Sequence, residues 1–569
     1  MQFLFESVRT TVDNAIQFVG ISLLFVGAQT AASTPVNETV CEFLHPPSSQ
    51  VCAPRTTLSQ IDILKYKFEL KLVDHVDEIQ GRAQVDLRFI QASQEFTLDL
   101  QSLDASGKGM KVLAVKQSGR PLSFVHEDNR LRIRLGAEQK AGTRARVEIM
   151  YSGIAQTGLN IGKNKFGERV FFADNWPNYG RAWLPSVDHP SDKAQVEFVV
   201  DAPAHYRVIA NGVLVSEKMI TPERKRTHWR EDVALPVKVM VVGAAPFAVQ
   251  RSAIYKGIPV SSWVFAQNKE AGFQDYSVAV EPLKFFDQHI GAYPYKKLAN
   301  VQSKTRFGGL ENANTIFYSE ASVTGKGDQE LLIAHEIAHQ WFGNAITEKD
   351  WHQVWISEGF ATYFANLYIE HRYGAERFLQ RMAEDKKKAL DFLAKQQVAI
   401  VSPEVQQVGQ LLNPVTYQKA GWVLHMLRSE IGDEVFWRGI RAYYAKFKNK
   451  NAATEDFQTV MQDVSGRDLS QFFQQWIYRA DYPILKLEWS QKTEQNEQDR
   501  LLTIQLQQVQ EQAAFQFPLQ IQIEYADGSQ TIEQVQVNEK QQQFTLSLTK
   551  PVSHVKLDPA MRVFFDIAK

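Results

Sequence analysis

Residues 331–344 read LLIAHEIAHQWFGN, and this stretch carries the strongest structural information in the chain. If it is helical, His335 and His339 are one turn apart on one face, so both imidazoles can reach one ion. Glu336 lies one step round the same helix, where its carboxylate can take a proton from an attacking water without binding the ion. The other positions of the stretch are mostly apolar, which predicts a buried helix.

WISEGFATYFA, residues 355–365, supplies a third candidate ligand. Glu358 follows His339 by 19 positions and lies at the start of a second predicted helix, for which Ser357 is the expected N-cap. Two histidines and a carboxylate leave the fourth position of a tetrahedral zinc ion open, as in catalytic sites. We therefore predict one Zn²⁺ per chain in a hydrolytic site. The alternative is a pair of core histidines bonded to backbone carbonyls.

Several segments resemble the aminopeptidase N and leukotriene hydrolase family of gluzincin metallopeptidases. They occur from about residue 60 to residue 485 and are RAWLPSVDHPSDKA (181–194), PYKKL (294–298), FGGLENANTIFY (307–318), HEIAHQWFGN (335–344), WISEGFATYFA (355–365), VTYQKAGWVLHML (415–427) and FFQQWIYRADYP (472–483). The resemblance implies a zinc aminopeptidase that removes single residues from peptides with a free N-terminus. It also implies that Tyr417 donates to the oxyanion of the transition state, and a phenol suits that role because it stays neutral at physiological pH.

The family's exopeptidase signature is matched at Gly308, Gly309, Leu310 and Glu311, with Leu310 where relatives carry Met. By the resemblance, Glu311 binds the α-ammonium group of the substrate. The two glycines allow a substrate backbone to approach and pair with this segment like a strand. Leu310 is apolar and similar in volume to Met, so the first side-chain pocket should stay hydrophobic.

The chain departs from the family in FFADNWPNYGRAWLP, residues 171–185. Relatives usually carry two Gln or Glu residues here, which help to hold the substrate amine. Asp174 and Trp176 stand at those positions. Asp174 can take over an anionic contact, or the change can reshape the pocket, so the preferred N-terminal residue stays open.

Three other functions are compatible with the motifs. An endopeptidase would use the same metal set, although Gly308 to Glu311 argue against it. An epoxide-hydrolase activity occurs in one branch of the family, and the sequence does not resolve it. A catalytically inactive peptide-binding scaffold is the alternative of a different class, but such relatives usually lack a ligand or the base, and here all four residues are present.

Hydrophobic periodicity predicts a multidomain α+β fold. Apolar residues alternate with polar ones within residues 56–252, which indicates a large antiparallel β domain. Residues 253–482 are mainly helical, with one or two strands at the front edge, and alternation returns in a short β module over residues 483–569. The resemblance implies that the first domain is saddle-like and the second thermolysin-like. It also implies a more open cleft than in relatives that carry a large helical C-terminal domain.

The first 32 residues contain an apolar stretch, residues 15–28, that is shorter than the about 20 residues of a membrane-spanning helix. Its length suits a signal peptide, although the acidic residues before it are unusual there, so an uncleaved anchor stays open. We predict export to the periplasm or the exterior. In that setting Cys41 and Cys52 could form a small disulfide loop, whereas in a cytosolic protein they would be two thiols.

Composition excludes some partners. The formal net charge is -1, and no long basic run occurs. Nucleic acid is therefore not an expected partner, and membrane association is expected only through the N-terminal apolar stretch.

Overall fold

The computed structural model describes residues 60–493 and 500–568, so the predicted signal peptide or anchor and both cysteines lie outside the described residues. Alternating apolar positions form the strands of the N-terminal region. In the strand Ile79–Phe89, for example, Val85 and Leu87 are buried while Arg88 faces solvent. The strands are β1 (Ile61–Lys71), β2 (Ile79–Phe89), β3 (Ser93–Asp99), β4 (Gly109–Gln117), β5 (Arg120–Pro121), β6 (Ser123–Glu127), β7 (Arg130–Gln139), β8 (Arg144–Ile154), β9 (Leu159–Lys163), β10 (Arg169–Ala173), β11 (Ala194–Pro203), β12 (Arg207–Ala210), β13 (Val213–Thr221), β14 (Arg224–Leu235) and β15 (Val242–Ala245).

These strands form three sheets, with the orders β13-β14-β11-β1-β2-β8-β4-β5, β12-β15-β10-β9 and β3-β7-β6. Most neighbours are antiparallel, as predicted. The exception is β1, which pairs with β11 in parallel, from Lys65 opposite Gln195 to Lys71 opposite Asp201. This parallel pair joins the first strand of the region to one that follows it by more than a hundred residues.

The middle region begins with a five-stranded sheet rather than the one or two strands predicted. Its strands are β16 (Phe247–Tyr255), β17 (Ile258–Phe265), β18 (Leu298–Gln302), β19 (Gly309–Leu310) and β20 (Thr315–Tyr318), in the order β16-β17-β18-β20-β19. Every residue of β18 and β20 is buried, because both faces of these parallel strands are covered. Alternation was therefore absent from their sequences, which is why they were not predicted.

Helices make up most of the region that follows. They are α1 (Lys269–Tyr276), α2 (Val280–His289), α3 (Glu330–Ala338), α4 (Trp355–Tyr373), α5 (Ala375–Leu393), α6 (Val408–Leu411), α7 (Ala420–Ile431), α8 (Asp433–Phe447), α9 (Thr454–Ser465) and α10 (Ser470–Ile477), with one π-turn at Val415–Lys419. Short 3-10 turns lie at Gly180–Ala182, Val237–Val239, Ala266–Asn268, Ser277–Ala279, Glu320–Ser322 and Trp351–Gln353. Two short strands, β21 (Ile346–Glu348) and β22 (Lys450–Ala452), pair in parallel. No described helix has the length and apolar content needed to cross a bilayer.

The terminal region returns to strands, as alternation predicts. They are β23 (Ile484–Thr493), β24 (Arg500–Gln508), β25 (Phe517–Tyr525), β26 (Gln530–Val537), β27 (Gln541–Leu548), β28 (Val552–Leu557) and β29 (Asp566–Ile567). They form two sheets, β27-β24-β23-β29 and β26-β25-β28. The predicted order of a β region, a mainly helical region and a terminal β region is thus confirmed.

Candidate metal centre and active site

Two neighbouring helices carry the three predicted metal ligands. His335 lies on α3 and His339 directly follows its last residue, while Glu358 lies in the first turn of α4. The Nε2 atoms of the two histidines are 3.1 Å apart. Oε2 of Glu358 lies 3.5 Å from Nε2 of His335 and 3.2 Å from Nε2 of His339. The three side chains therefore converge on one point.

The donor set fits a tetrahedral zinc ion. With zinc–nitrogen and zinc–oxygen bonds near 2.0–2.1 Å, neighbouring ligands of a regular tetrahedron are about 3.3 Å apart. The three ligand–ligand distances of 3.1, 3.2 and 3.5 Å lie around that value. His339 and Glu358 are buried and His335 is half-buried, so protein covers one side of the group.

The ring of His339 is held from behind by two oxygen atoms. Its Nδ1 lies 3.1 Å from the carbonyl oxygen of Phe342 and 3.1 Å from Oγ of Ser357. A carbonyl can only accept, so Nδ1 carries the proton and Nε2 presents a lone pair to the metal position. Position 343 next to this group has no room for a side chain, because a Cβ at Gly343 would come within 2.2 Å of Oγ of Ser357.

The predicted N-cap role of Ser357 is wrong. Helix α4 begins at Trp355, with Val354 as its N-cap, so Ser357 lies inside the first turn. The preceding 3-10 turn, Trp351–Gln353, is capped by Asp350, which extends the helical path upstream of the predicted start. Ser357 instead faces His339, which gives it a role at the metal centre.

Glu336 is buried and lies against Gly309, the first residue of β19. A Cβ at Gly309 would lie 2.2 Å from Oε1 of Glu336, so only glycine leaves room for this carboxylate. Gly308 is open by comparison, since the nearest atoms to a Cβ there belong to Leu332 at 3.8 Å and more. Burial raises the pKa of Glu336 well above its ordinary value, and the carboxylates of Glu311 and Glu358 add to that rise. Such a carboxylate is suited to hold a proton between two steps of a reaction.

Tyr417 lies in the π-turn Val415–Lys419, a type of local structure often found at functional sites. Its ring stacks on His335, with the ring centres 6.1 Å apart. Burial raises the pKa of Tyr417 well above its ordinary value, and nearby carboxylates, first Glu358 and then Glu311, raise it further. The phenol therefore keeps its proton and can donate a hydrogen bond.

Glu311 is held by its main chain, whereas its side chain has an unpartnered oxygen. Its carbonyl oxygen accepts hydrogen bonds from Nδ2 of Asn344 at 2.6 Å and from Nε2 of Gln340 at 3.0 Å. Both donors lie just beyond α3, so the backbone of Glu311 is fixed relative to the metal ligands. Its Oε1 is shielded from solvent, and none of the described residues gives it a hydrogen bond. Burial raises the pKa of Glu311, which His339 and Lys238 oppose. Leu310, the preceding residue, is buried.

Asp174 lies on a neighbouring loop. It is buried, and its Oδ2 accepts from Oγ1 of Thr305 at 3.4 Å, while its Oδ1 has no hydrogen-bond partner within the described part of the chain. Burial raises its pKa, and the positive charge of Arg306 opposes that rise. The carboxylates of Glu358, Glu311 and Glu336 all contribute to the raised pKa of Tyr417, so all three act on this phenol. Asp174 instead has its polar contacts with Thr305, Arg306 and Asn160.

Lys238 was not predicted, although it carries a buried charge near Glu311. Its ammonium group pairs with Glu348, and both side chains are almost fully buried. The 3-10 turn that contains Lys238 is bonded to the turn after Glu311, because N–H of Ala313 donates to the carbonyl oxygen of Val239 at 3.2 Å. One signal in the sequence could have indicated this buried ion pair: a lysine inside the apolar run PVKVMVVG (236–243). A lysine in such a run is expected to be buried, and a buried cation needs a partner.

Comparison with known families agrees with this arrangement. Residues 275–476 match the description "Peptidase family M1 domain", and residues 63–237 match "Peptidase M1 N-terminal domain". Together these matches cover about two thirds of the chain. The candidate metal centre lies inside the first match.

Individual relatives are distant but numerous. The chain is 24% identical to "Aminopeptidase M1-C" of Oryza sativa subsp. japonica over 57% of this chain and 38% of that protein. It is 23% identical to "Leucyl aminopeptidase" of Saccharolobus solfataricus over 78% of this chain and 57% of that protein. For "Puromycin-sensitive aminopeptidase" of Caenorhabditis elegans the identity is 23%, over 71% of this chain and 45% of that protein. The chain therefore spans less than two thirds of the length of each of these relatives.

Proposed function

The chain belongs to peptidase family M1, and from this membership we propose that it is a zinc-dependent aminopeptidase acting on peptides with a free N-terminus. The observation that carries the proposal is the shielded Oε1 of Glu311, for which the described residues supply no hydrogen-bond partner and whose carboxyl pKa is affected by His339 and Glu358. A buried carboxylate oxygen without a partner is costly, and a substrate ammonium group would satisfy it.

Each residue of the group has a proposed task. Glu311 binds the α-ammonium group and so sets the distance from the N-terminus to the scissile bond. Substrate backbone lies along Gly308 and Gly309. His335, His339 and Glu358 would hold Zn²⁺, which when bound polarises a carbonyl and lowers the pKa of water.

Glu336 and Tyr417 act on protons and charge. Glu336 takes a proton from the attacking water and passes it to the departing amine. Tyr417 donates its phenolic hydrogen to the oxygen on which negative charge develops. The raised pKa of Tyr417 supports this role, because an ionised phenol could not donate.

The test is hydrolysis of fluorogenic amides of single amino acids, each compared with its N-acetylated form. We expect the free amides to be cleaved and the acetylated ones not, because only a free amine pairs with Glu311. A chelator should abolish cleavage, and added Zn²⁺ should restore it. Equal cleavage of blocked and free substrates would instead indicate an endopeptidase, and binding without cleavage would indicate an inactive scaffold.

We also propose that the protein is exported, on the basis of the apolar residues 15–28 and the small residues after them. N-terminal sequencing of the protein isolated from its host tests this. A mature N-terminus just after the small residues would support a cleaved signal peptide, and an intact N-terminus in the membrane fraction would support an anchor.

A further inference from the structure

Trp176 lies in the segment where the chain departs from its family, and it packs against the residues that lead into Gly308 and Gly309. Only 2% of its surface is exposed, so its indole fills space rather than lining an open pocket. The described residues supply no hydrogen-bond partner for its shielded Nε1, which costs stability. Hydrogen bonding therefore does not explain a tryptophan here, whereas its bulk and its ring contacts can.

A first contact joins Trp176 to the segment on which substrate would lie. Its ring meets that of Phe307 edge to face, with the centres 6.3 Å apart. Phe307 directly precedes Gly308 and Gly309. The carbonyl oxygen of Trp176 also accepts from Arg306 at 3.2 Å, so side chain and main chain both hold the indole against this segment.

Two more contacts join Trp176 to Trp351 and to Lys238. Its ring lies 5.8 Å from that of Trp351, which stands in the turn leading into the helix of Glu358. The ammonium group of Lys238 lies 5.9 Å from the Trp176 ring centre and 5.6 Å from that of Trp351. The turn that contains Lys238 is tied to the turn after Glu311, because N–H of Ala313 donates to the carbonyl oxygen of Val239 at 3.2 Å.

These contacts place the indole between two parts of the chain. One is the segment that runs from Arg306 and Phe307 toward Glu311, and the other is the turn that precedes the Glu358 helix. We propose that Trp176 closes this end of the cleft and restricts the enzyme to small N-terminal residues such as alanine, glycine and serine. The inference rests on the proposed aminopeptidase function. Because Trp176 contacts both the segment before Gly308 and the turn before the Glu358 helix, we place the first substrate side chain beside it, with the amine on Glu311 and the scissile carbonyl at the metal centre.

The energetic scale is set by packing. One methylene more or less in a hydrophobic pocket changes kcat/KM by about 10- to 200-fold. Truncating Trp176 to alanine would leave a void beside Phe307 that a leucine or phenylalanine side chain could occupy, recovering buried apolar surface. Large substrates should therefore gain from the truncation relative to small ones.

The experiment compares the kcat/KM of phenylalanine amide with that of alanine amide in the wild type, Trp176→Ala and Trp176→Leu. The wild type should prefer alanine. The ratio of phenylalanine to alanine should rise at least about tenfold in Trp176→Ala and less in Trp176→Leu, because leucine refills part of the void. Both substrates are measured on the same preparation, so the ratio does not depend on the fraction of enzyme that is folded.

Trp229→Ala is the matched control. Trp229 is also nearly buried, but its indole donates to the carbonyl oxygen of Val208 and its ring contacts Trp263 and Lys297, none of which belongs to the candidate site. Its truncation should leave the ratio unchanged. A wild type that prefers phenylalanine, or an unchanged ratio in Trp176→Ala, would overturn the inference while leaving the aminopeptidase function intact. Failure of the wild type to cleave any free amide would instead overturn the proposed function, and this inference with it.

Discussion

The metal ligands and the region around Glu311 satisfy their buried polar groups in different ways. At the metal end (His335, His339 and Glu358) the ligand atoms face one another, and Nδ1 of His339 has oxygen partners in Phe342 and Ser357. At the amine end, defined here by Glu311 and Trp176, each side chain has a shielded polar atom for which the described residues supply no hydrogen-bond partner: Oε1 and Nε1, respectively.

This difference indicates where each end obtains its affinity. Buried polar groups without partners are rare because each costs about 1–3 kcal/mol. The metal end is organised by protein contacts before a ligand arrives. The amine end retains polar atoms that a substrate can satisfy, so substitutions at the two ends should have distinct effects on catalysis, metal affinity and substrate affinity.

Glu336→Gln should have the largest effect. The variant should lose about 10²- to 10⁴-fold in kcat, because a neutral amide cannot accept the proton of the attacking water. Its zinc content should not change, since Glu336 is not one of the three converging ligands. Steady-state kinetics with elemental analysis of the purified protein measures both. Glu330→Gln on the same helix is the control, and a loss of less than about tenfold would contradict the role of Glu336.

Tyr417→Phe should come next, with a loss of about 10²- to 10³-fold in kcat, as for removal of one oxyanion donor. KM should change little, because the phenol acts on charge that develops only in the transition state. The matched control is Tyr443→Phe, which removes a buried hydroxyl that has no partner. A Tyr417→Phe variant with raised KM and normal kcat would assign the phenol to binding instead.

Glu311→Gln tests the amine end. A hydrogen bond to a charged group contributes about 1.5–3 kcal/mol, so KM for alanine amide should rise by about 10- to 150-fold. Discrimination against N-acetylated substrate should fall at the same time, because the amide no longer selects a cation. Glu370→Gln on α4 serves as the control. If the variant kept its preference for free amines, the amine would have to be bound elsewhere.

Ser357→Ala should have the smallest effect and should appear in metal affinity alone. Outer partners of metal-bound histidines contribute about 10- to 100-fold, and we expect the lower figure because the carbonyl of Phe342 still holds His339. Titration with a competing chelator measures it. Ser322→Ala, which removes a buried hydroxyl bonded to Tyr276, is the control. Unchanged zinc affinity would show that Ser357 only packs against the ring.

Local periodicity was sufficient to predict the elements that carry the chemistry. A spacing of four residues, close to one helical turn of about 3.6, brings His335 and His339 together. Alternation marks strands such as Ile79–Phe89, whose two faces differ. The fully buried strand Leu298–Gln302 gave no alternation and was missed. Short-range pattern therefore predicts a strand only where its two faces have different surroundings.

Long-range contacts explain the remaining differences from the sequence analysis. Ser357 was predicted to be a helix cap from its local sequence alone. Its contact with His339 depends on the fold, which brings the two residues together. Lys238 was overlooked because its partner Glu348 is 110 positions away. The sequence showed that Trp176 departs from the family. Its contacts with Phe307 and Trp351 were not predicted, because the three residues lie in three separate segments of the chain.

The parallel pairing of β1 with β11 has a consequence during synthesis. One edge of β1 pairs with the adjacent β2, but its other edge has no partner until Gln195 to Asp201 have been made. At about 5–20 residues per second the ribosome needs roughly 6–25 s to add the intervening chain. During that time β1 presents an open strand edge on which other nascent chains could pair, so chaperone demand should peak before residue 195 emerges.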